Sequence, residues 1–372
     1  MKITIQSGIL AKNLSIVSSV VKEKPFVPIT SNFLFEAESV LTITGTDNVH
    51  DIQSTIEDVQ VHIAGSCIIP AKDFFNIIKS LPNQPVVITH TSKRVNLKTS
   101  NGSYDFATED NFDEFPLRRS EKLDNQLEIN IDLLAKAINH NFNTMPSEDA
   151  HSSRNGLFIH SDSEMKLRFA CVSTNAGVVA VFKTNIHCDK IVKIVIGKTS
   201  VSLLKNIISN KSQPVLVKFN ANSITFVCEN TTLSCSVLGE NFVEYEAIIP
   251  TSIIAQIQTG RDSFNNSIKR VTLLTENEHA AIGLNLSEDI NVRYCDPLSG
   301  KDASESVNYD LCTNKDFSIN VKAREFANML STLESKTVDI KFSGSNTAFV
   351  VENLEPQIDY SAHFYAAPVR QN

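Results

Sequence analysis

An amphipathic segment recurs three times along this chain at a spacing of 126 residues, with no gap in either step. The first copy runs from Pro70 to Leu81 and stops before Pro82; the second covers Lys198 to Ile207 and the third Arg324 to Leu333. At 3.6 residues per turn, positions 77, 78 and 81 share one face of a helix and 72, 76 and 79 lie opposite. The later copies repeat this division. Leu203, Leu204 and Ile207 correspond to Met329, Leu330 and Leu333, while Lys198, Ser202 and Lys205 correspond to Arg324, Asn328 and Ser331. Self-similarity at a fixed period marks one structural unit used repeatedly.

The flanks of each copy agree. A β-like run precedes each helix (Ser66 to Ile69, Ile191 to Ile196, Phe317 to Val321), and another follows (Val86 to Ile88, Val215 to Val217, Val338 to Ile340). A second helix opens each repeat, over Ile9 to Val20, Ile131 to Asn143 and Ser252 to Lys269. Elsewhere the pattern alternates with period two, as in Leu41-Thr42-Ile43-Thr44, which reads as half-buried strand. The expected organisation is three α+β domains of similar topology, 1–122, 123–248 and 249–372. Polar linkers join them at Arg118 to Asn125 and Glu244 to Thr251. A tandem array of three interaction modules fits the repeat equally well.

Where charge sits matters more than its sum. The formal net charge is −8, which taken alone argues against a polyanion ligand. The outer helix faces run the other way: Lys12, Lys72 and Lys79, then Lys136, Lys198 and Lys205, then Lys322 and Arg324, with Lys269 and Arg270 as additions. Acidic Asp73, Asp132 and Glu325 fall in first helical turns, where the helix dipole favours them. The acidic pairs Glu109-Asp110, Asp113-Glu114 and Glu148-Asp149 fall in loops. A basic face on one repeated element holds phosphates without reading bases.

Other function classes lose support. Seven scattered cysteines form no C-x-x-C pair, so a zinc site or a disulfide framework is not expected and a reducing cytoplasm is. No apolar run is long enough to span a bilayer, so no membrane partner is expected. No P-loop, G-x-G-x-x-G, H-E-x-x-H or G-x-S-x-G is present, so no catalytic residue, metal or cofactor is assigned. Asp47 and Asp51 imitate a metal pair, but Asp47 reads as the residue that ends a strand and organises the next turn.

Four stretches carry a resemblance: Leu41-Thr42-Ile43-Thr44-Gly45-Thr46-Asp47, Ile69-Pro70-Ala71-Lys72-Asp73-Phe74-Phe75, Arg154-Asn155-Gly156-Leu157-Phe158 and Pro368-Val369-Arg370. In order and spacing the whole chain resembles the beta subunit of bacterial DNA polymerase III, the sliding clamp, as a divergent member. The resemblance implies α+β architecture of three tandem DNA-clamp domains, each with two helices on one side of antiparallel sheets. It implies a head-to-tail homodimer closing a six-domain ring around double-stranded DNA, held without sequence specificity. Lys24, Lys72 and Lys198 then occupy DNA-facing positions, and Tyr104 and Phe106 face Leu273 and Leu274 of a second copy. DNA polymerase and an ATP-driven clamp loader bind through short peptide motifs. Their pocket corresponds to Thr174, Asn175, Gly177, Val179, Phe242, Val243, Pro368, Val369 and Arg370.

Departures gather in that pocket. The family's Thr-Asp-Gly-His-Arg-Leu-like stretch appears as Thr174-Asn175-Ala176-Gly177-Val178-Val179, its Phe-Pro as Phe242-Val243, and its Met-Pro-Met-Arg-Leu end as Ala367-Pro368-Val369-Arg370-Gln371-Asn372. Loss of methionine narrows the range of peptides such a surface accepts. A clamp-like paralogue of phage or mobile-element type, with a dedicated partner, is the alternative.

Overall fold

The computed structural model describes every residue except 109–111, 118–122, 147–154, 210, 240, 276–279, 356 and 371–372. Arg154, the pairs Glu109-Asp110 and Glu148-Asp149, the first part of the 118–125 linker and the terminal Gln371-Asn372 therefore lie outside the described residues.

Six α-helices occur among the described residues: α1 (Ser7–Val17), α2 (Ala71–Ser80), α3 (Ile131–Phe142), α4 (Lys198–Ile208), α5 (Arg261–Thr272) and α6 (Ala323–Thr332). The repeated segment is α2, α4 and α6, and burial follows the expected register. Ile78, Leu204 and Leu330 are buried, as are Phe74, Ser200 and Phe326 four residues earlier. Lys72, Asn76 and Lys79 are exposed, and so are Ser202 and Lys205, and Arg324, Asn328 and Ser331. Asp73 in the first turn of α2 and Lys79 in its last complement the helix dipole. Leu81 turns extended, the conformation that a following proline imposes.

One expected helix is partly a strand. The segment Ser252 to Lys269 divides into a strand, Ala255–Gly260, and then α5. Ala255, Ile257 and Thr259 are buried while Gln256, Gln258 and Gly260 are half-buried, a period of two. Pairing along Thr337–Phe342 fixes that register, and the helix begins only where alternation ends.

The chain forms two compact units, residues Met1–Ile131 with Thr199–Val237 and residues Asp132–Lys198 with Leu238–Asn372. The first holds an antiparallel eight-stranded sheet in the order Asn125–Ile129, Val215–Phe219, Ser223–Cys228, Thr231–Ser236, His50–Ile56, Leu41–Thr46, Asn32–Ala37, Gly65–Pro70. Its second sheet has five strands and ends at the edge strand Ser103–Ala107. Phe35, Phe74 and Phe106 meet edge to face beneath α2, with ring centroids 5.7 and 5.5 Å apart.

The second unit holds a nine-stranded sheet that runs from Lys193–Ile196 through Val178–His187 and Tyr360–Ala366 to Leu311–Cys312. A four-stranded sheet ends at the edge strand Lys301–Val307. There α5 and α6 lie side by side, joined by Asn265 donating to the Ser331 hydroxyl at 2.9 Å and by Phe264 against Phe326 at 5.5 Å. Segment 123–248 thus supplies strands to both units, because hydrogen bonding along sheets does not stop at repeat boundaries.

Candidate nucleic-acid interface and peptide pocket

In the first unit α1 packs beside α2, and Lys12, Lys72 and Lys79 are exposed on them. Lys12 and Lys79 make no hydrogen bond or ion pair among the described residues, and neither does Lys24 in the loop after α1. Lys72 pairs with Glu23 at 3.0 Å, both side chains largely in solvent, where such a pair contributes little.

Four of the expected cations of the second unit are more constrained, whereas Lys269 is exposed on α5. Lys136 on α3 meets Glu334 at 3.1 Å, touches the Tyr360 hydroxyl at 3.5 Å and stands 4.9 Å from that ring's centre. Burial would lower its pKa, but Glu334 and Tyr360 raise it overall. Lys136 is thus an ion-paired, partly exposed cation and not a free one. Lys198 is half-buried, donates to the Met145 carbonyl at 2.7 Å and lies 5.4 Å from the Phe142 ring centre. Lys322 ends a strand instead of lying on a helix, and donates to the Asn175 carbonyl at 2.6 Å. Arg270 is held by Glu305 at 2.5 Å, whose own pKa is lowered to about 2 by hydrogen bonds from Arg270 and Ser267.

The expected pocket residues come together within the second unit. Val179 lies in an apolar cluster with Ala170, Val172, Val181, Tyr245, Val350 and Tyr365, and Phe242 and Val243 pack on it half-buried. Phe242 stacks on Phe158 at 4.7 Å, and Phe158 on His160 at 4.4 Å. Burial lowers the pKa of His160, which sits 2.9 Å from the Tyr245 hydroxyl. Thr174 and Asn175 are exposed on the turn between strands Lys166–Ser173 and Val178–His187. Gly177 closes that turn at φ +70°, a backbone conformation that favours glycine. Its carbonyl accepts the Ala367 amide at 2.8 Å, and the Val369 amide donates to Asn320 at 2.8 Å, so the tail with Pro368 and Arg370 is tied beside the turn. On this side a cavity of about 390 Å³ joins Asn175 to Arg324, Asn328 and Met145, a connection that sequence spacing did not reveal.

Sequence comparison adds to this geometry. The family model for the DNA polymerase III beta subunit N-terminal domain matches residues 1–118, and that for its C-terminal domain residues 246–368. The chain belongs to the DNA polymerase III beta-subunit family. The beta sliding clamp of Vibrio cholerae is 22% identical over 373 residues, and that of Escherichia coli 21% over 378, each covering 100% of both chains. Among solved structures, the beta subunit of Pseudomonas aeruginosa superposes with a TM-score of 0.93 at 19% identity, and the sliding clamp of Bacillus subtilis with 0.92 at 20%; both cover 100% of each chain. This beta-subunit fold is retained although about four residues in five differ from those relatives.

Against the family frame, the residues expected at the dimer contact divide. Tyr104 is exposed on the edge strand Ser103–Ala107, and Leu273 and Leu274 are exposed at the end of α5, Leu273 at 83%. Phe106, on the same edge strand, is only 8% exposed and packs on Phe74, so it is a core residue of its own unit. Tyr104 and Phe106 lie two apart and so share one side of the strand, where Phe74 of α2 covers Phe106.

A second constellation was not legible from spacing. His50 Nδ1 lies 3.1 Å from Asp47, and its Nε2 lies 2.9 Å from the Ser200 hydroxyl. With Nδ1 donating to the carboxylate, Nε2 accepts from the serine. The order imitates a nucleophile triad, but Ser200 is 2% exposed within α4 and no substrate reaches it. Asp47 also accepts the Val49 and His50 amides at 3.0 and 2.8 Å and pairs with Lys22 at 3.1 Å. Burial opposes its ionisation, and these partners, His50 first, hold its pKa well below the usual carboxylate range. The set is a strut across the first unit, in keeping with Asp47 as turn organiser.

Proposed function

We propose that the chain is a DNA sliding clamp, a non-catalytic processivity factor that encloses duplex DNA and tethers a polymerase. Full-length likeness to proteins named beta sliding clamp carries the reading. The exposed lysines of α1 and α2 support it as a surface for phosphates. The repeat supports three domains, 1–122, 123–248 and 249–372, with two copies joined head to tail into a six-domain ring. Edge strands Ser103–Ala107 and Lys301–Val307 are suited to that joining, since an edge presents unpaired backbone groups. In this reading Lys12, Lys24, Lys72, Lys79, Lys205 and Arg324 face DNA, with Lys198 as an anchored neighbour. Enclosure supplies retention, so individual contacts stay weak and permit sliding.

Polymerase and clamp-loader peptides bind over Phe242, Val243 and Val179, between the turn Thr174–Gly177 and the tail Pro368–Arg370. Half-buried Ile249 packs on the same apolar cluster. The protein acts in the cytoplasm, on DNA.

The test is mass by light scattering across a dilution series, followed by retention on nicked circular DNA before and after linearisation. The expected result is a dimer that stays on circles and runs off linear DNA. A monomer with no topological retention would support the three-module interaction protein instead.

A further inference from the structure

Among the described residues, three large apolar side chains stand more than nine-tenths exposed: Phe26, Leu298 and Ile358. Scattered exposed apolar residues are ordinary, so exposure alone decides nothing. Their electrical surroundings differ. Leu298 sits in a turn organised by the Asp296 carboxylate, which accepts from its amide at 3.0 Å, and Ile358 precedes Asp359. Phe26 sits in the run Lys22-Glu23-Lys24-Pro25-Phe26. There Lys22 is paired with Asp47 and Glu23 with Lys72, and Lys24 keeps its charge unpaired among the described residues. The unpaired cation is two residues from Phe26 in sequence, and the acid before it is already engaged.

The loop is also held in place. On one side Lys22 pairs with the buried Asp47 carboxylate at 3.1 Å. On the other, Pro28 opens a 3-10 turn in which buried Thr30 donates its hydroxyl to the Val27 carbonyl at 2.8 Å and its amide to the same oxygen at 3.1 Å. Prolines at 25 and 28 restrict the backbone around the ring. A fully exposed aromatic ring two residues from an unpaired lysine, on a proline-restricted backbone, suits one nucleotide unit, a flat base with a phosphate beside it.

We infer that Phe26 is a stacking contact for an unpaired base, with Lys24 on the adjacent phosphate, so that the loop recognises the single-stranded side of a primer–template junction. Bases inside a duplex are already stacked on each other and offer no free face, so sliding along duplex leaves Phe26 unengaged. The inference rests on the reading that the protein works on DNA.

The chain has no tryptophan, so Phe26→Trp in the full-length protein creates a single fluorescent reporter at the proposed contact. The probes are oligo(dT), a primed template, a blunt duplex of equal length, and vesicles of phosphatidylserine and phosphatidylcholine. Expected are quenching by oligo(dT) and primed template but not by blunt duplex or vesicles. Phe26→Ala should lower affinity for the primed template by roughly tenfold while duplex affinity stays within about twofold. An unchanged preference for primed template in Phe26→Ala overturns the inference, as does equal quenching by blunt duplex or a vesicle-induced blue shift. These readouts need no closed ring. Failed retention of the unaltered protein on circular DNA therefore removes the clamp reading, whereas intact retention with no quenching removes this one alone.

Discussion

The two units treat the same kind of residue differently. On α1 and α2 of the first, Lys12 and Lys79 project from exposed faces without partners among the described residues. In the second, Lys136 is closed onto Glu334 and Tyr360, and Lys198 onto the Met145 carbonyl and the Phe142 ring. A repeated register predicts which way a side chain starts out from its helix. It does not predict what a neighbouring strand or loop places in its path. The grip on phosphate is therefore expected to be uneven, strongest where the lysines are free.

The most direct way to break this contrast is to compare salt dependence. Replacing Lys12, Lys24 and Lys79 by Ala takes up to six cations away from the phosphates in a dimer. Affinity for duplex at low salt should then fall on the order of a thousandfold, and the slope of log affinity against log salt by about 0.9 for each phosphate no longer neutralised. Fluorescence anisotropy between roughly 50 and 200 mM salt measures both. A slope equal to that of the unaltered protein would show that these lysines do not meet DNA.

A second comparison separates core from contact among the residues expected at the dimer interface. Phe106→Ala deletes a ring buried against Phe74 and should destabilise the first unit by about 3–5 kcal/mol in urea unfolding. Leu273→Ala removes an exposed side chain, so it should leave unfolding within about 0.5 kcal/mol while shifting the dimer to higher concentration. If Phe106→Ala weakens only the dimer, the ring is a contact and not core.

These positions show how far sequence reaches. Period and amphipathicity located all three repeat helices, because helix faces are set by neighbours three and four residues apart. Strand edges and ion pairs depend on residues far away in sequence, such as Lys136 and Glu334, or Ser200 and His50. Ser252 to Lys269 failed for a related reason: a polar alternating stretch reads as either element until Thr337–Phe342 pairs with it. The proposed pocket rests on family likeness alone, since Val179, Phe242 and Val369 share no local pattern.

The second unit also carries a buried histidine that titrates on unfolding. His140 is buried, donates to the His363 carbonyl 3.1 Å away and lies against Phe364, with ring centres 4.2 Å apart. Burial lowers its pKa from 6.5 to about 4, against the opposing pull of its backbone partner. Between those values the unfolded chain binds a proton that the folded unit does not, so stability falls as pH drops through that window and is flat for this group above it. The expected loss is about 3 kcal/mol. Glu352 acts lower: burial opposes its ionisation, but His363 and Lys341 hold its pKa at about 2, so its contribution disappears as pH falls from 4.5 toward that value. Urea midpoints from pH 8 to 4 should slope in the unaltered protein and flatten in His140→Gln; equal slopes would refute the assignment.

The smallest effect sharpens the comparison most. Lys136 and Glu334 are each more than a third exposed at the side chain, so their pair should contribute only about 0–1 kcal/mol. Lys136→Met leaves Glu334 with the Tyr360 hydroxyl, which donates to it at 2.7 Å and keeps the carboxylate from being stranded. A double-mutant cycle with Glu334→Gln should thus return a coupling below about 1 kcal/mol, and the duplex salt slope should not move. In Glu334→Gln alone the lysine is released, and the slope should steepen as a new cation reaches phosphate. Should Lys136→Met instead reduce the slope as much as Lys79→Met does, the paired lysine already meets DNA and the two units grip it alike.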